Sequence, residues 1–523
     1  MKISVAGSAL RMTLADGVGA QVATVDSLAY REISAGQLSA TPADGHRSLF
    51  QMEWIPLTPA SVPGEVIERR VATVRSASEV TAVDAADVIV LDLRETGGPV
   101  GPRAQHALEA LQAWLAEERF STSTLVVVTR EAVARSLDEA IDPAGAAVWG
   151  LTRSAQMENP GRILLADLDS HPDSEALLAT LDQTAGMESE LLIREGVCHG
   201  SRLARVQARA AEAPTPWDPD GTVLVTGGTG GLGALVARHL VAVHGVRRLL
   251  LVSRRGMAAA GVGELVAELS ELGAVVRVEA CDVADREALA VLLAGIDPDH
   301  RLTGVVHAAG VLDDALLADL TPDRLETVLR PKADAARHLH ELTREMGLST
   351  FVLFSSIAGA FGGAGQANYA AANAFLDALA QHRQGLGLSG QSLAWGPWEQ
   401  AEGMAGRLTG QDRARLARSG VLPLTDEEGL ALFDAAVALP ESVPAVVPVR
   451  LDLAALHAGD GEVPAVLQGL VGRQGRRASV QAGQGSSLAR RLHGLDADQQ
   501  LSVVADLVGV QVAVVLGFGP ESV

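Results

Sequence analysis

Short runs of unbroken aliphatic residues, each followed by a longer stretch of helical periodicity, organise most of this chain. Val88–Leu93, Leu125–Thr129 and Ile163–Leu168 lack polar alternation, the pattern of strands buried on both faces of a sheet. The stretch Ala104–Glu118 between the first two predicts a helix. A second series begins after the proline-bearing connector Ala213–Trp217. There Val223–Thr226, Arg248–Ser253, Val275–Ala280, Gly304–His307, Phe351–Ser355 and Gln391–Trp395 predict six strands. Helices are predicted between them, notably Ala234–His244, Pro322–Glu345 and Asn368–Gln381.

Strand and helix alternating in this way predict an α/β protein with two Rossmann-like doubly wound parallel-sheet subdomains. The first, residues 48–212, has no glycine fingerprint after any strand and is expected to be structural; the second, residues 213–456, is expected to be catalytic. Residues 1–47 are set apart. They alternate at Leu10, Met12 and Leu14 and again at Val22 and Val25, around the turn signal Asp16-Gly17, which predicts a hairpin. Residues 457–487 are rich in Gly, Gln and Arg and read as a linker, and helical periodicity returns within residues 488–523.

A length of 523 residues is too great for one hydrophobic core and implies several domains. The formal charge of −22, spread along the chain, excludes nucleic acid and anionic membrane as natural partners. Cys198 and Cys281 are the only cysteines and stand outside any metal-ligand spacing, so neither a zinc site nor a disulfide framework is expected. No run of apolar residues is long enough to span a bilayer, and the amino terminus is unlike a signal peptide. The expected location is the cytoplasm.

Three constellations carry chemistry. Thr226, Gly227, Thr229, Gly230, Gly231, Leu232 and Gly233 lie between a predicted strand and a predicted helix. Gly227 permits a tight turn, Gly231 a close approach of backbone to pyrophosphate, and Gly233 close helix packing, while the helix start offers N–H groups to phosphate. The next strand ends in Ser253-Arg254-Arg255. A cation rather than an acid there points to a ribose 2′-phosphate, hence NADPH, the bland alternative being two solvated arginines. Asp282 and Val283, after the third strand, are placed to meet an adenine edge.

The third constellation decides the reaction. Ser356 closes a strand, Tyr369 follows thirteen residues later near a helix start, and Asn373 shares its helix face at i+4. A phenol with an ordinary pKa near 10 is a poor acid–base group unless a cation or hydrogen bond shifts it, and Lys332 is the candidate cation.

Together with His307-Ala308-Ala309-Gly310, these residues resemble the ketoreductase domain of a modular type I polyketide synthase, a branch of the short-chain dehydrogenases. The resemblance covers about residues 48–456. It implies NADPH-dependent reduction of a β-ketoacyl thioester carried on an acyl carrier protein. Tyr369 would protonate the alkoxide, Ser356 polarise the carbonyl, Lys332 lower the tyrosine pKa, and Asn373 complete a proton relay. Ordinary members of the superfamily carry lysine four residues after the tyrosine; Lys332 with Asn373 matches the exchanged arrangement of these ketoreductases. Trp395 and the segment to about Leu424, with Met404, match the family's lid.

The resemblance also implies a stereochemical type. Leu312-Asp313-Asp314 matches the B-type signature, Phe361 stands where A-type members have tryptophan, and Ala371 stands where epimerising B-type members have proline. A D (3R) alcohol without inversion of the α-substituent is expected, with Gln366 also near the substrate; the two aspartates also fit a simple turn or helix cap. Residues 1–47 resemble the end of a dehydratase domain, and residues 488–523 the start of an acyl carrier domain. The competing readings are a redox-silent epimerase or structural domain, and a free-standing dehydrogenase of small alcohols.

Overall fold

The structure, a computed structural model, describes residues 2–6, 9–15, 21–29, 48–57, 69–181, 188–206, 217–399, 420–440, 442–453 and 464–470. Met404, most of the expected linker and all of residues 488–523 lie outside them. The chain divides into two compact units, Met1–Arg47 and Ser48–Val523. The first is a three-stranded antiparallel sheet of β1 (Lys2–Ala6), β2 (Ala9–Ala15) and β3 (Gln21–Ala29), in that order. The expected hairpin is β2–β3, and β1 adds a strand that the alternation did not single out.

The second unit is built on one sheet of 14 strands. Its first half contributes β4 (Leu49–Pro56), β5 (Val71–Val74), β6 (Val88–Asp92), β7 (Thr124–Thr129), β8 (Ile163–Leu168), β9 (Glu190–Arg194) and β10 (Val197–Arg205). Its second half contributes β11 (Thr222–Thr226), β12 (Arg248–Ser253), β13 (Val275–Ala280), β14 (Leu302–His307), β15 (Thr350–Ser356) and β16 (Gln391–Trp395), then β18 (Ala445–Pro448). The short strands β17 (Val421–Leu422) and β19 (Arg450–Leu451) pair separately.

The strand order is β13-β12-β11-β14-β15-β16-β18-β4-β10-β9-β8-β7-β6-β5. In the second half the order reverses between β11 and β14, and such a switch point opens a crevice at the carboxyl ends of parallel strands. From β5 to β9 the order advances one way without reversal, so this run has no switch-point crevice to complement its missing glycine loop. The halves are fused by antiparallel pairing of β18 with β4, at Val447 with Phe50 and Pro448 with Leu49. The aliphatic pattern predicted two subdomains but not this joint, because a run of buried residues does not encode which edge it pairs with. The fusion removes two exposed sheet edges.

One core spans both halves. Ile89, Leu91, Leu125 and Val127 of the first half share a cluster with Leu325, Val328, Phe375 and Leu379 of the second. Its closest passage lies where the helix Pro143–Glu158 crosses the helix Ala367–Gly385. The former starts cleanly, with the Asp142 carboxylate accepting from the Ala144 N–H and proline at the first helical position. A Cβ added at its Gly150 would fall 2.2 Å from the Ala370 carbonyl oxygen.

The expected continuous helix Pro322–Glu345 is in fact three pieces: α-helix Pro322–Leu329, a π-helical turn Arg330–Asp334, and α-helix Ala335–Thr343. Pro331 supplies no N–H for the regular ladder, and the wider turn absorbs the gap. Lys332 sits in that turn. Among the described residues no helix is long and apolar enough to cross a membrane.

The helix crossing yields a prediction. Gly150→Ala forces backbone apart, because all three nearest atoms belong to main chain. We expect a loss of about 1–3 kcal/mol, the usual range for overpacking, read as a lower urea midpoint with unchanged slope. An unaltered midpoint would show that the two helices separate freely.

Candidate active site

The glycine loop between β11 and the helix Gly231–Ala242 turns because Gly227 adopts φ +67°, in the left-handed region. A Cβ there would meet the Ala309 nitrogen at 3.0 Å, and one at Gly233 would lie 2.3 Å from the Gly227 carbonyl oxygen. Gly230 faces the other way, with nothing within 4 Å of an added Cβ. It is the N-cap of the helix, and no side chain caps the N–H groups that follow. Thr229 and Leu232 flank this opening, half-buried. The loop is therefore packed on its inner side and open on its outer side, a cradle suited to phosphate.

His307 ties the loop to the next strand. It is fully buried, and burial pushes its pKa down to about 3, so the ring is neutral. Its Nε2 faces the Lys332 carbonyl oxygen at 3.0 Å, which only an N–H can satisfy. Nδ1 is then the acceptor for the Thr226 hydroxyl at 2.7 Å, while the Thr226 oxygen accepts from the Ala309 N–H. The Ala308 N–H donates to the Thr226 carbonyl. One histidine tautomer thus couples β11, β14 and the lysine turn. Gly310 completes the contact: a Cβ there would lie 2.9 Å from Lys332 Cε.

Lys332 is 2 % exposed and donates to the Phe354 carbonyl at 2.7 Å and to Asn373 Oδ1 at 2.6 Å. Burial pushes its pKa down to about 7, against the pull of the Asp377 charge. The Asn373 amide passes the connection on by donating to the Tyr369 carbonyl at 2.7 Å, and the Ser355 hydroxyl holds the Asn373 carbonyl. The Lys332 ammonium lies over the Tyr369 ring, 5.3 Å from its centroid. Burial raises the Tyr369 pKa; hydrogen bonds with the Ser356 and Asn373 side chains oppose the rise, and the Asp314 charge adds to it. The lowering of the phenol expected from Lys332 is absent here: burial dominates, and the lysine reaches Asn373 rather than the phenol oxygen. Ser356 also caps the short helix Ile357–Phe361 through the Ala358 N–H.

The sequence reading missed Asp377, although it continues the helix face of Tyr369 and Asn373 at i+4. It is half-buried, accepts from the Ser392 hydroxyl at 2.6 Å, and desolvation pushes its pKa up to about 6. It also missed Asn368, whose amide donates to the Asp313 and Arg324 carbonyls. That signal was available only as a buried polar residue inside an alanine-rich helix.

The two aspartates of the segment Leu312–Asp314 part company. Asp313 is paired with Arg324 at 2.7 Å, whereas the Asp314 carboxylate accepts from Gln366 at 3.0 Å, beside the tyrosine helix start. Leu312 is half-buried next to them, and Phe361 is half-buried against the cluster that holds Phe50, Leu203, Ala394 and Val449. Trp395 and Trp398 meet edge to face at 5.0 Å. Reciprocal backbone bonds join Glu399 and Pro397 to Leu424, so both ends of the segment between are clamped together.

Ser253 Oγ accepts from the Gly256 N–H, and Arg254 and Arg255 are exposed with no ion pair among the described residues. Asp282 caps the turn at Ala284 and pairs with Arg330 at 3.2 Å, while Val283 is buried beside it. The uncapped helix start after β11 fits a dinucleotide phosphate. Outside this site, His239 and His244 each lie 2.7 Å from Asp434 Oδ1. Burial would raise that carboxyl, but the two hydrogen bonds outweigh it and hold the pKa down to about 2. The trio joins the glycine-loop helix to the helix that follows Leu424.

A reversed strand order with a glycine turn at the switch, and Ser, Tyr, Asn and Lys gathered at the adjacent strand ends, define an oxidoreductase of the short-chain dehydrogenase type. Residues 221–400 match the family described as KR domain, and residues 52–203 match that of the polyketide synthase extender module SpnB, Rossmann fold domain. A solved A1-type ketoreductase is 33 % identical, with a TM-score of 0.71 over 81 % of this chain and 98 % of that one. The first ketoreductase of the tylosin PKS is 31 % identical, with a TM-score of 0.68 over 83 % of this chain and 100 % of that one. Polyketide synthase GfsA of Streptomyces halstedii is 46 % identical over 98 % of this chain, which spans 7 % of that protein. This chain belongs to the ketoreductases of modular type I polyketide synthases, NAD(P)H-dependent enzymes that reduce β-keto groups.

The chain contains only two lysines, Lys2 and Lys332. In lysine-labelled protein without cofactor, one of two side-chain signals should titrate near pH 7 and vanish in Lys332→Met; titration at an ordinary value would mean the ammonium is solvated. The sign for stability follows. The folded pKa of about 7 lies below the ordinary 10.5, so the unfolded chain binds more protons between them. The burial penalty is full below pH 7 and is relieved as pH rises through that window.

Proposed function

We propose that this chain reduces the β-carbonyl of an acyl thioester, borne on the phosphopantetheine arm of an acyl carrier protein, to the D (3R) alcohol with NADPH. The observation that carries this reading is the Lys332–Asn373–Tyr369 chain of contacts, with Ser356 near enough to the phenol to oppose the rise in its pKa, beside the open glycine loop.

Gly230, Gly231 and the helix start would hold the pyrophosphate, and Arg254 the 2′-phosphate. When bound, the reduced nicotinamide supplies the reducing equivalent. The chain's own residues handle the proton and the orientation. Ser356 and the Tyr369 hydroxyl point hydrogen-bond donors at one carbonyl oxygen, where negative charge develops. The phenol, held above its ordinary pKa by burial, stays protonated through the neutral range and is ready to donate. Asn373 fixes the first turn of the tyrosine helix, and Lys332 holds Asn373. Loss of the phenol proton would draw the Lys332 charge toward it through that amide.

The stereochemical reading rests on Asp314, whose carboxylate accepts from Gln366 at the start of the tyrosine helix. The working setting is cytoplasmic, with acyl carrier and dehydratase domains as neighbours in a larger synthase.

The test is NADPH consumption with a racemic 2-methyl-3-oxo thioester, with the alcohols resolved chirally. Tyr369→Phe should lower kcat about 100- to 10,000-fold, the range for losing a positioned acid, with NADPH binding retained. A 3S product would overturn the stereochemical reading, and NADPH binding without turnover would favour the epimerase. Arg254→Glu should raise KM for NADPH on the order of tenfold, equivalent to about 1.4 kcal/mol, and leave KM for NADH unchanged. Equal effects on both would remove Arg254 from the 2′-phosphate.

A further inference from the structure

We propose that Glu158, from the half of the sheet that carries no cofactor site, is a positioning residue for stereochemical control. It rests on the reductase reading above.

Two loops flank Tyr369. One, residues 312–317, carries Leu312, Asp313 and Asp314; the other, residues 362–366, leads from Phe361 to Gln366 and into the tyrosine helix. Glu158 is the last residue of the helix Pro143–Glu158. Its Oε2 accepts from the Leu317 N–H at 2.9 Å, and its Oε1 accepts from the Gly365 N–H at 2.9 Å. One carboxylate therefore holds both loops, by charge-assisted bonds to main chain. The Gly365 carbonyl closes the ring by accepting from the Ala315 N–H at 2.8 Å. Gly365 itself has φ +80°, a conformation that L side chains rarely adopt.

The charge is not there for its own helix. A carboxylate in the last turn meets the negative end of the helix dipole, and no cation pairs with Glu158 among the described residues. Neighbouring residues of that helix reach the same region: Ser154 Oγ accepts from the Gly363 N–H of the loop at 3.2 Å, and Arg153 donates to the Gly359 carbonyl of the short helix before it at 2.7 Å. From the helix Val100–Ala116, Gln112 donates to the Leu317 and Leu320 carbonyls. Glu158 is the one side chain in this group that bonds both loops at once. It thereby fixes the separation between Asp314 and Gln366, whose mutual bond stands at the start of the tyrosine helix, close enough for the Asp314 charge to act on the phenol. Loosening it lets the two loops move apart, and the substrate meets the reducing face in more than one orientation.

The experiment compares unmodified chain, Glu158→Gln and Glu158→Ala. Hydrogen exchange at the Leu317 and Gly365 amides should quicken in Glu158→Ala, while NADPH affinity stays unchanged. KM for the thioester should rise and kcat/KM fall on the order of tenfold to a hundredfold, as for misplacement of about 1 Å, and the ratio of alcohol diastereomers should relax. Glu158→Gln keeps one acceptor and should fall between. A merely structural role would scale kcat with the folded fraction and leave KM and product ratio untouched; that result, or unchanged exchange at both amides, overturns the proposal. No turnover by the unmodified chain would sink the reductase reading and this proposal with it, whereas turnover with an unaltered ratio sinks this proposal alone.

Discussion

The contact on which the rest of this molecule depends is the passage of Gly150 beneath the Ala370 carbonyl. At that distance no side chain fits between the helices Pro143–Glu158 and Ala367–Gly385. The tyrosine helix is therefore seated directly on the half that lacks a cofactor site. Everything downstream inherits that registration: the phase of Tyr369, Asn373 and Asp377, the level at which Lys332 meets Asn373, and the reach of Arg153, Ser154 and Glu158 to the loops around the phenol. Protein interiors are too dense for such a contact to be adjusted piecemeal.

Burial at the site has opposite consequences for its two titrating groups. It pushes Lys332 down to about 7 and raises Tyr369, so each is driven toward its uncharged form. The carbonyl of Phe354 and the amide of Asn373 retain the ammonium in place. A bound anionic cofactor and a developing alkoxide would both act on that balance, which makes the lysine responsive rather than fixed. His307, neutral and locked in one tautomer, ties the lysine turn to β11 and β14. Pro331 is part of the same design, since the π-helical turn it imposes directs Lys332 into the site.

The one-way order from β5 to β9 and the reversed order around β11 explain how two halves of similar type divide their labour. Only the second opens a crevice at its strand ends. The first contributes rigidity, an extension of the sheet through β4 and β18, and polar side chains aimed at loops of its neighbour. A cofactor-free subdomain in this sense supports the loops around Tyr369.

By itself the sequence determined the layers, because unbroken aliphatic runs bury on both faces and helices must cover them. It also determined the glycine turn, which needs a left-handed residue at Gly227, and the Tyr369–Asn373 pair, which helical spacing places on one face. Those are local properties, readable within a few residues. The π-helical widening at Pro331 was hinted at by the proline too, and was passed over because periodicity continued on both sides. Only the tertiary structure decided the rest. The fusion of two sheets, the division of Asp313 from Asp314, and the grasp of Glu158 on Leu317 and Gly365 join segments far apart in the chain. No period or motif records such partners, since a hydrogen bond between distant residues exists only once packing has brought them together.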